Sequence, residues 1–175
     1  MFSAAQMSYT EQEITKLIQC PKKVLDPPRR EMKAVDGFRR NDLSLIAEGV
    51  PGYFYVFMRQ TEDFSENFSI GLRYDPKDGS GDITLLRCNG PHGPYNNSAD
   101  PNHPHWDFHV HRASQGAIEA GFRAEKHAEK ALEFGSFEEA LPYFLKEVNV
   151  EEQDVETHFP GTGKQLDLGL SLDLQ

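Results

Sequence analysis

Four of the seven histidines in this 175-residue chain fall within nine positions, 103–111, in the stretch "HPHWDFHVH". An imidazole changes charge near neutral pH and is also a common metal ligand, so such a cluster points to proton transfer or to metal binding. In a β-strand, side chains two residues apart share a face and lie about 6.6 Å apart. The alternation predicts that His109 and His111 converge on one volume of the polar face. The apolar residues that alternate with them are predicted to face the core: Trp106, Phe108 and Val110.

Metal-free acid–base catalysis is one chemistry that this cluster could perform. One imidazole would remove a proton, a second would protonate the leaving group, and arginines would stabilise the developing negative charge. His92, in the loop "GPHGP", is expected to complete the cleft with His109 and His111. Three arginines complete the predicted catalytic set: Arg73, Arg87 and Arg112. These residues predict a ribonuclease that uses the 2′-hydroxyl of RNA as internal nucleophile and needs no cofactor.

A metal centre is the second interpretation of the histidines. His109 and His111 form a His-x-His pair on one strand, but zinc or another divalent metal needs a third ligand. His92 is the first choice for that ligand, with His103 and Asp107 as alternatives. A third interpretation assigns no site at all, because a solvated polar sheet face would place histidines in the same pattern.

The charge of the chain favours a different class of function. Lys and Arg number 18 against 28 Asp and Glu, which gives a formal net charge of -10. Such acidity argues against a broad basic surface for nucleic acid, although a small basic cleft remains compatible with it. It also suits a non-enzymatic inhibitor or anti-defence factor that occupies the basic groove of a nucleic-acid-binding protein. Substitution of the histidines distinguishes this binding protein from an enzyme.

The order of sequence patterns predicts an α+β fold. "TEQEITKLIQ" begins with a capping box of Thr10 and Glu13, which predicts an N-terminal helix. A basic, proline-containing connector follows over 21–37, and the helical patterns of the second half lie in 114–134 and 136–150. Short turns between the strands predict an antiparallel sheet of about five strands, with the C-terminal helices packed on one face. The predicted strands are "RNDLSLIAE", "YFYVFMRQ", "NFSIGLRY", "ITLLRCN" and "HWDFHVHR".

Composition divides the chain into a single domain over 1–150 and a tail over 151–175 that is expected to be separable. Leucines occupy every second position of the tail from Leu166 to Leu174. Such a repeat is typical of a terminal strand or a flexible tail, or of a peptide that adds to a cognate partner's sheet edge. Two cysteines, no apolar run of about 20 residues and no signal-peptide pattern lead us to expect a cytoplasmic protein with no membrane segment.

Two bacterial groups share motifs with the chain. "GDITLLRCNGPHG", "DFHVHR" and "FEEALPYFL" resemble an uncharacterised family, a domain of unknown function, over roughly 10–150. A shorter likeness over about 85–112 resembles the TumE-like toxins of toxin–antitoxin loci. The positions that match the toxin motif are Arg87, Asn89, Pro91, His92, His109 and His111. This second resemblance implies an RNA substrate and a ribonuclease activity.

Overall fold

A computed structural model describes residues 8–92 and 104–162 of the protein, which form an α+β fold with an antiparallel eight-stranded sheet. The first half contains α1 (Glu11–Gln19), β1 (Lys23–Asp26), β2 (Lys33–Val35), β3 (Phe38–Ile46), β4 (Tyr53–Thr61), β5 (Phe68–Asp75) and β6 (Ile83–Asn89). The second half contains a 3₁₀ turn (Pro104–Trp106), β7 (His109–Arg112), α2 (Gln115–Glu119), β8 (Ala128–Lys130), α3 (Phe137–Glu147) and α4 (Glu152–His158).

The strands follow the order β1-β3-β4-β5-β6-β7-β8, and β2 pairs with another part of β3. The predicted α+β class and the antiparallel hairpins are confirmed. The prediction of about five strands is wrong, since β1 and β2 form within the predicted connector and β8 forms within a segment predicted to be helical. Only Gln115–Glu119 of that segment is an α-helix, and Gly121 ends it in the left-handed region at φ 74°.

Helices from both ends of the described chain share one face of the sheet. Thr10 and Glu13 form the expected capping box, and the helix that they begin buries its apolar side. This side of α1 joins the apolar side of α3 and the inward residues of the central strands in one core cluster. Among the described residues, no helix combines the length and the apolar character that crossing a membrane requires.

The last predicted strand is shorter than expected. Residues 104–106 form the 3₁₀ turn, and the strand β7 begins only at His109. Trp106 is therefore 65% exposed instead of facing the core, whereas Phe108 and Val110 pack against the core as predicted. The proline at the start of the turn cannot donate a ladder hydrogen bond, which favours a turn over a strand at this point.

Residues 151–162 contact the rest of the fold. Phe159 is buried in the core, and the carboxylate of Asp154 accepts a hydrogen bond of 2.7 Å from the backbone N–H of Val24. The domain boundary predicted after residue 150 therefore lies just before a segment that contributes the side chain of Phe159 to the core. The leucine repeat of 166–174 lies outside the described residues, so its role as a strand or as a partner-binding peptide stays a prediction.

A buried lysine joins the two main helices. The Lys22 ammonium donates hydrogen bonds of 2.8–2.9 Å to the carbonyls of Ile18, Cys20 and Val148, at the C-terminal ends of α1 and α3. Its three N–H groups are thereby satisfied, and its charge complements the negative ends of two helix dipoles. Burial lowers the pKa of Lys22 to about 8, and the ammonium lies 4.8 Å from the centre of the Phe54 ring.

Replacing this lysine tests the connection. We expect Lys22→Met to lower the free energy of unfolding by about 3 kcal/mol, because buried carbonyls lose their donor. Lys23→Met is the matched control, since the Lys23 side chain is 63% exposed; it should change stability by less than about 0.5 kcal/mol. Urea unfolding measures both variants, and equal effects would contradict this role for Lys22.

Candidate functional site

The pairing of β6 with β7 creates the polar centre of the molecule. Asn89 lies opposite His109 and Arg87 lies opposite His111. Directly paired residues share a face of the sheet, and the residues between them point toward the helices. These four polar side chains therefore lie together on the face opposite the helical layer.

Two further histidines close over the end of this strand pair. His92 follows β6, and its backbone N–H donates to the His105 carbonyl in the 3₁₀ turn at 3.1 Å. The His105 ring stacks on His109 with a centroid distance of 4.7 Å, and the His92 ring is 5.0 Å from that of His109. The centres of the His111 and His109 rings are also 5.0 Å apart. The structure thus brings together the predicted His92, His109 and His111, and adds His105.

The histidines of β7 are buried. His109 is 0% exposed and His111 is 4% exposed. The alternative interpretation, a solvated polar sheet face, therefore does not describe these two rings. The 3₁₀ turn and the segment that leads into β8 cover this part of the sheet, so each imidazole needs polar partners within the protein.

Backbone carbonyls supply those partners and fix the tautomers. Nδ1 of His109 donates to the Asp107 carbonyl at 2.8 Å, and Nδ1 of His111 donates to the Glu125 carbonyl at 3.0 Å. A carbonyl only accepts, so each Nδ1 carries the hydrogen and each Nε2 of the neutral ring presents a lone pair. Burial, with a smaller effect of the Arg87 charge, lowers the pKa of His111 to about 3. Both features favour neutral imidazoles.

The ring nitrogens of three histidines converge, and two of these nitrogens have the separation found between ligands of one metal ion. Nε2 of His92 and Nε2 of His109 are 3.3 Å apart. Two nitrogens bound to one tetrahedral zinc ion at about 2.05 Å are themselves about 3.3 Å apart. The ligand nitrogens of His92, His105 and His109 all lie within 4.8 Å of one another. A carbonyl on the far nitrogen of a ligating histidine is also the usual outer partner in metal sites.

His111 lies beside this trio. Its Nε2 is buried and has no hydrogen-bond partner among the described residues. Its ring centre is 5.4 Å from that of His105. A buried acceptor in this position is suited to accept a hydrogen bond from a water molecule bound next to the trio.

The three arginines of the predicted catalytic set lie at different positions on the sheet. Arg87 lies beside the histidines, 3.8 Å from the buried carboxylate of Glu125. Arg73 is on the same face, but its guanidinium pairs at 3.1 Å with Asp82, which precedes the start of β6. Arg112 is on the opposite face, where it pairs with Glu147 of α3 at 3.2 Å. Of the three, only Arg87 joins the histidine cluster.

A cleft opens beside His92. It has a volume of about 400 Å³, and its polar wall includes Arg59, Arg87, Asn89 and Ser69. His92 belongs both to the candidate metal-ligating trio (His92, His105 and His109) and to this wall. The cleft therefore gives a substrate access to the trio. Two guanidinium groups give the wall a positive character suited to phosphate or carboxylate groups.

Sequence reasoning missed two members of the site. His105 was expected two steps from His109 on a continuous strand, and the 3₁₀ turn instead places its ring on that of His109. Proline at position 104 was the available signal for this turn. Glu125 lies in a segment predicted to be helical, where no local pattern marked it as a partner of Arg87 and His111.

Comparisons with known proteins identify no relative of this chain. No family model, no curated protein and no solved structure was found to match the chain. The resemblances to the uncharacterised family and to the TumE-like toxins therefore stay predictions.

Metal titration tests the trio. We expect the protein to bind one zinc ion, and His105→Ala to weaken binding by at least about 100-fold, because a direct ligand is lost. Binding should also weaken as the pH falls, because protons compete with the metal ion for imidazole. Isothermal titration calorimetry measures the affinity, and His127→Ala, which removes an exposed histidine, is the control. Equal binding by His105→Ala and the unchanged protein would exclude this trio as the site.

Proposed function

We propose that the protein is a divalent-metal-dependent hydrolase that acts on a phosphate ester. The observation that carries this proposal is the convergence of His92, His105 and His109 next to a cleft with two arginines. Three protein ligands, rather than four, are typical of catalytic zinc sites, which keep one position for water or substrate. The cleft reaches the trio through His92, and this gives that position a route for substrate.

The chemistry follows from the parts of the site. A divalent ion held by His92, His105 and His109 would supply the chemistry of an activated water, whose pKa such ions lower to about 7. Hydrolysis would form a bond from the water oxygen to phosphorus and break the bond to the leaving oxygen, with the water proton passing to solvent and the leaving oxygen taking a proton from solvent. Arg59 and Arg87 stabilise the negative charge on the remaining phosphoryl oxygens. The buried Nε2 of His111 accepts a hydrogen bond from the attacking water and orients it.

The hydrogen bonds of the buried rings support this mechanism. Nδ1 of His109 and Nδ1 of His111 donate to backbone carbonyls, so both Nε2 atoms present lone pairs. Such lone pairs are what metal ligation and hydrogen-bond acceptance require. The environment of His111 thus supports a position beside the metal.

A metal-independent ribonuclease is the second candidate. The specific observation in its favour is the 3.3 Å contact between Nε2 of His92 and Nε2 of His109, which can share a proton. His92 lines the cleft with Arg87, and these residues also belong to the motif shared with TumE-like toxins. In this candidate His92 exchanges a proton with the RNA 2′-hydroxyl, and Arg87 stabilises the charged phosphate.

One set of assays separates the two candidates. We expect zinc- or manganese-loaded protein to hydrolyse bis(p-nitrophenyl) phosphate, and His105→Ala to lower kcat/KM by at least about 100-fold. Arg87→Gln should lower it by roughly 10–100-fold, because one charge stabiliser is lost. Arg30→Gln removes an exposed arginine outside the cleft and should leave the rate unchanged.

The outcomes have distinct meanings. RNA cleavage that persists in chelator and requires His92 but not His105 would support the metal-independent candidate. If the metal-loaded protein cleaves neither the ester nor RNA, the hydrolase proposal is wrong. The acidic binding protein would then be the remaining alternative.

A further inference from the structure

The sheet face that carries the histidines also carries a row of positive side chains. Lys33, Arg40 and Arg59 are consecutive partners across β2, β3 and β4. The same row continues from Arg59 through Ser69 and Asn89 to His109. Four steps between strands separate Arg40 from His109, a distance of about 19 Å.

The two arginines at the centre of this row lie directly opposite each other. Like charges directly opposite each other in a sheet are destabilising. Neither Arg40 nor Arg59 forms an ion pair with any carboxylate of the described residues. Asp42 lies on the same face, opposite Phe57, and pairs with neither of them. In a chain with ten more acidic than basic groups, this arrangement favours an anionic ligand.

Aromatic rings lie beside the same cations. Phe38 is 39% exposed, which is high for such a large apolar ring on a sheet. The Arg40 guanidinium is 5.6 Å from the Phe38 ring centre, and the Arg59 guanidinium is 5.8 Å from that of Phe57. These cations and rings together form what we call the basic–aromatic face, whose members are Lys33, Phe38, Arg40, Phe57 and Arg59.

Gly71 allows one of these rings to lie close to the sheet. Phe57 is the cross-strand partner of Gly71, and a Cβ at position 71 would overlap the Phe57 ring. A ring placed over a glycine lies across the neighbouring strand and does not project from it. Because the Phe57 ring lies flat on the sheet, a planar group can approach both the rings and the guanidinium groups.

We propose that single-stranded nucleic acid binds along the basic–aromatic face and leads into the histidine site. Positive groups that follow a backbone and rings on which bases stack are the two parts of single-strand recognition on sheet surfaces. Arg40 and Arg59 bind phosphates, and the exposed Phe38 beside Arg40 stacks with a base. Stacking requires unpaired bases, so the face selects single strands over duplexes.

The inference names the substrate class of the proposed hydrolase, and to that extent it rests on the proposed function. Binding along the face does not depend on a metal ion, because the face and the metal-ligating trio consist of different residues. The two claims can therefore fail separately.

Fluorescence anisotropy in the presence of chelator tests the binding. Labelled oligo-uridine and oligo-deoxythymidine should bind at 50 mM salt, while a duplex of equal length should bind at least about 10-fold more weakly. Arg40→Gln/Arg59→Gln should reduce affinity by at least about 10-fold and make its salt dependence shallower. Phe38→Ala should reduce affinity by about 5-fold or more.

A matched control removes the same charge from the other side of the molecule. Lys16 and Lys146 are exposed on α1 and α3, and Lys16→Gln/Lys146→Gln should leave the affinity unchanged. Equal losses in both double variants, or equal binding of duplex and single strand, would overturn the inference.

Hydrolysis of the small ester separates this result from the proposed function. Arg40→Gln lies outside the cleft and should leave ester hydrolysis unchanged while it weakens oligonucleotide binding. Absence of oligonucleotide binding beside metal-dependent ester hydrolysis would refute the nucleic-acid inference alone. Oligonucleotide binding without any hydrolysis would refute the hydrolase proposal alone.

Discussion

The hydrogen bonds from two histidine Nδ1 atoms to backbone carbonyls are the constraint on which the candidate site depends. They satisfy the buried rings of His109 and His111, fix their tautomers and direct their Nε2 atoms to the interior of the cluster. Without these carbonyls, two fully desolvated imidazoles would lack a polar partner on that side. The acceptors come from Asp107 and Glu125, on either side of β7 in the chain. The path of the chain around β7 therefore determines the chemistry of the site.

Strand parity explains how much of the site is predictable from sequence. Alternation in "DFHVHR" is sufficient to place His109 and His111 on one face, and the short turns are sufficient to predict antiparallel hairpins. Parity does not tell whether that face is covered. The cover comes from the 3₁₀ turn and from the segment that leads into β8. Residues 128–130 of β8 lie in a stretch rich in Ala, Glu and Lys, which have high helix propensity. Pairing with the free edge of β7 overrides that propensity, and the sequence around 128–130 gives no local sign of it.

Charge shows a similar limit of sequence reasoning. The net charge of -10 argued against a broad basic surface. A sum over the chain, however, contains no information about where the positive side chains lie. Register supplies that information: it aligns Lys33, Arg40 and Arg59 in one row that ends at the histidines. The two capabilities that we propose, metal-assisted hydrolysis and single-strand binding, use the same sheet face. The other face is occupied by the core beneath α1 and α3, so the fold assigns one face to stability and one to function.

X-ray absorption spectroscopy of the zinc-loaded protein tests the central claim most directly, because it measures the metal's ligands and needs no substrate. We expect three imidazole nitrogens at about 2.0–2.1 Å from the zinc ion and one oxygen in the fourth position. In His105→Ala the imidazole contribution should fall by one third. A first shell that contains only oxygen, or an imidazole contribution that does not change in His105→Ala, would contradict the assignment of His92, His105 and His109 as a metal centre.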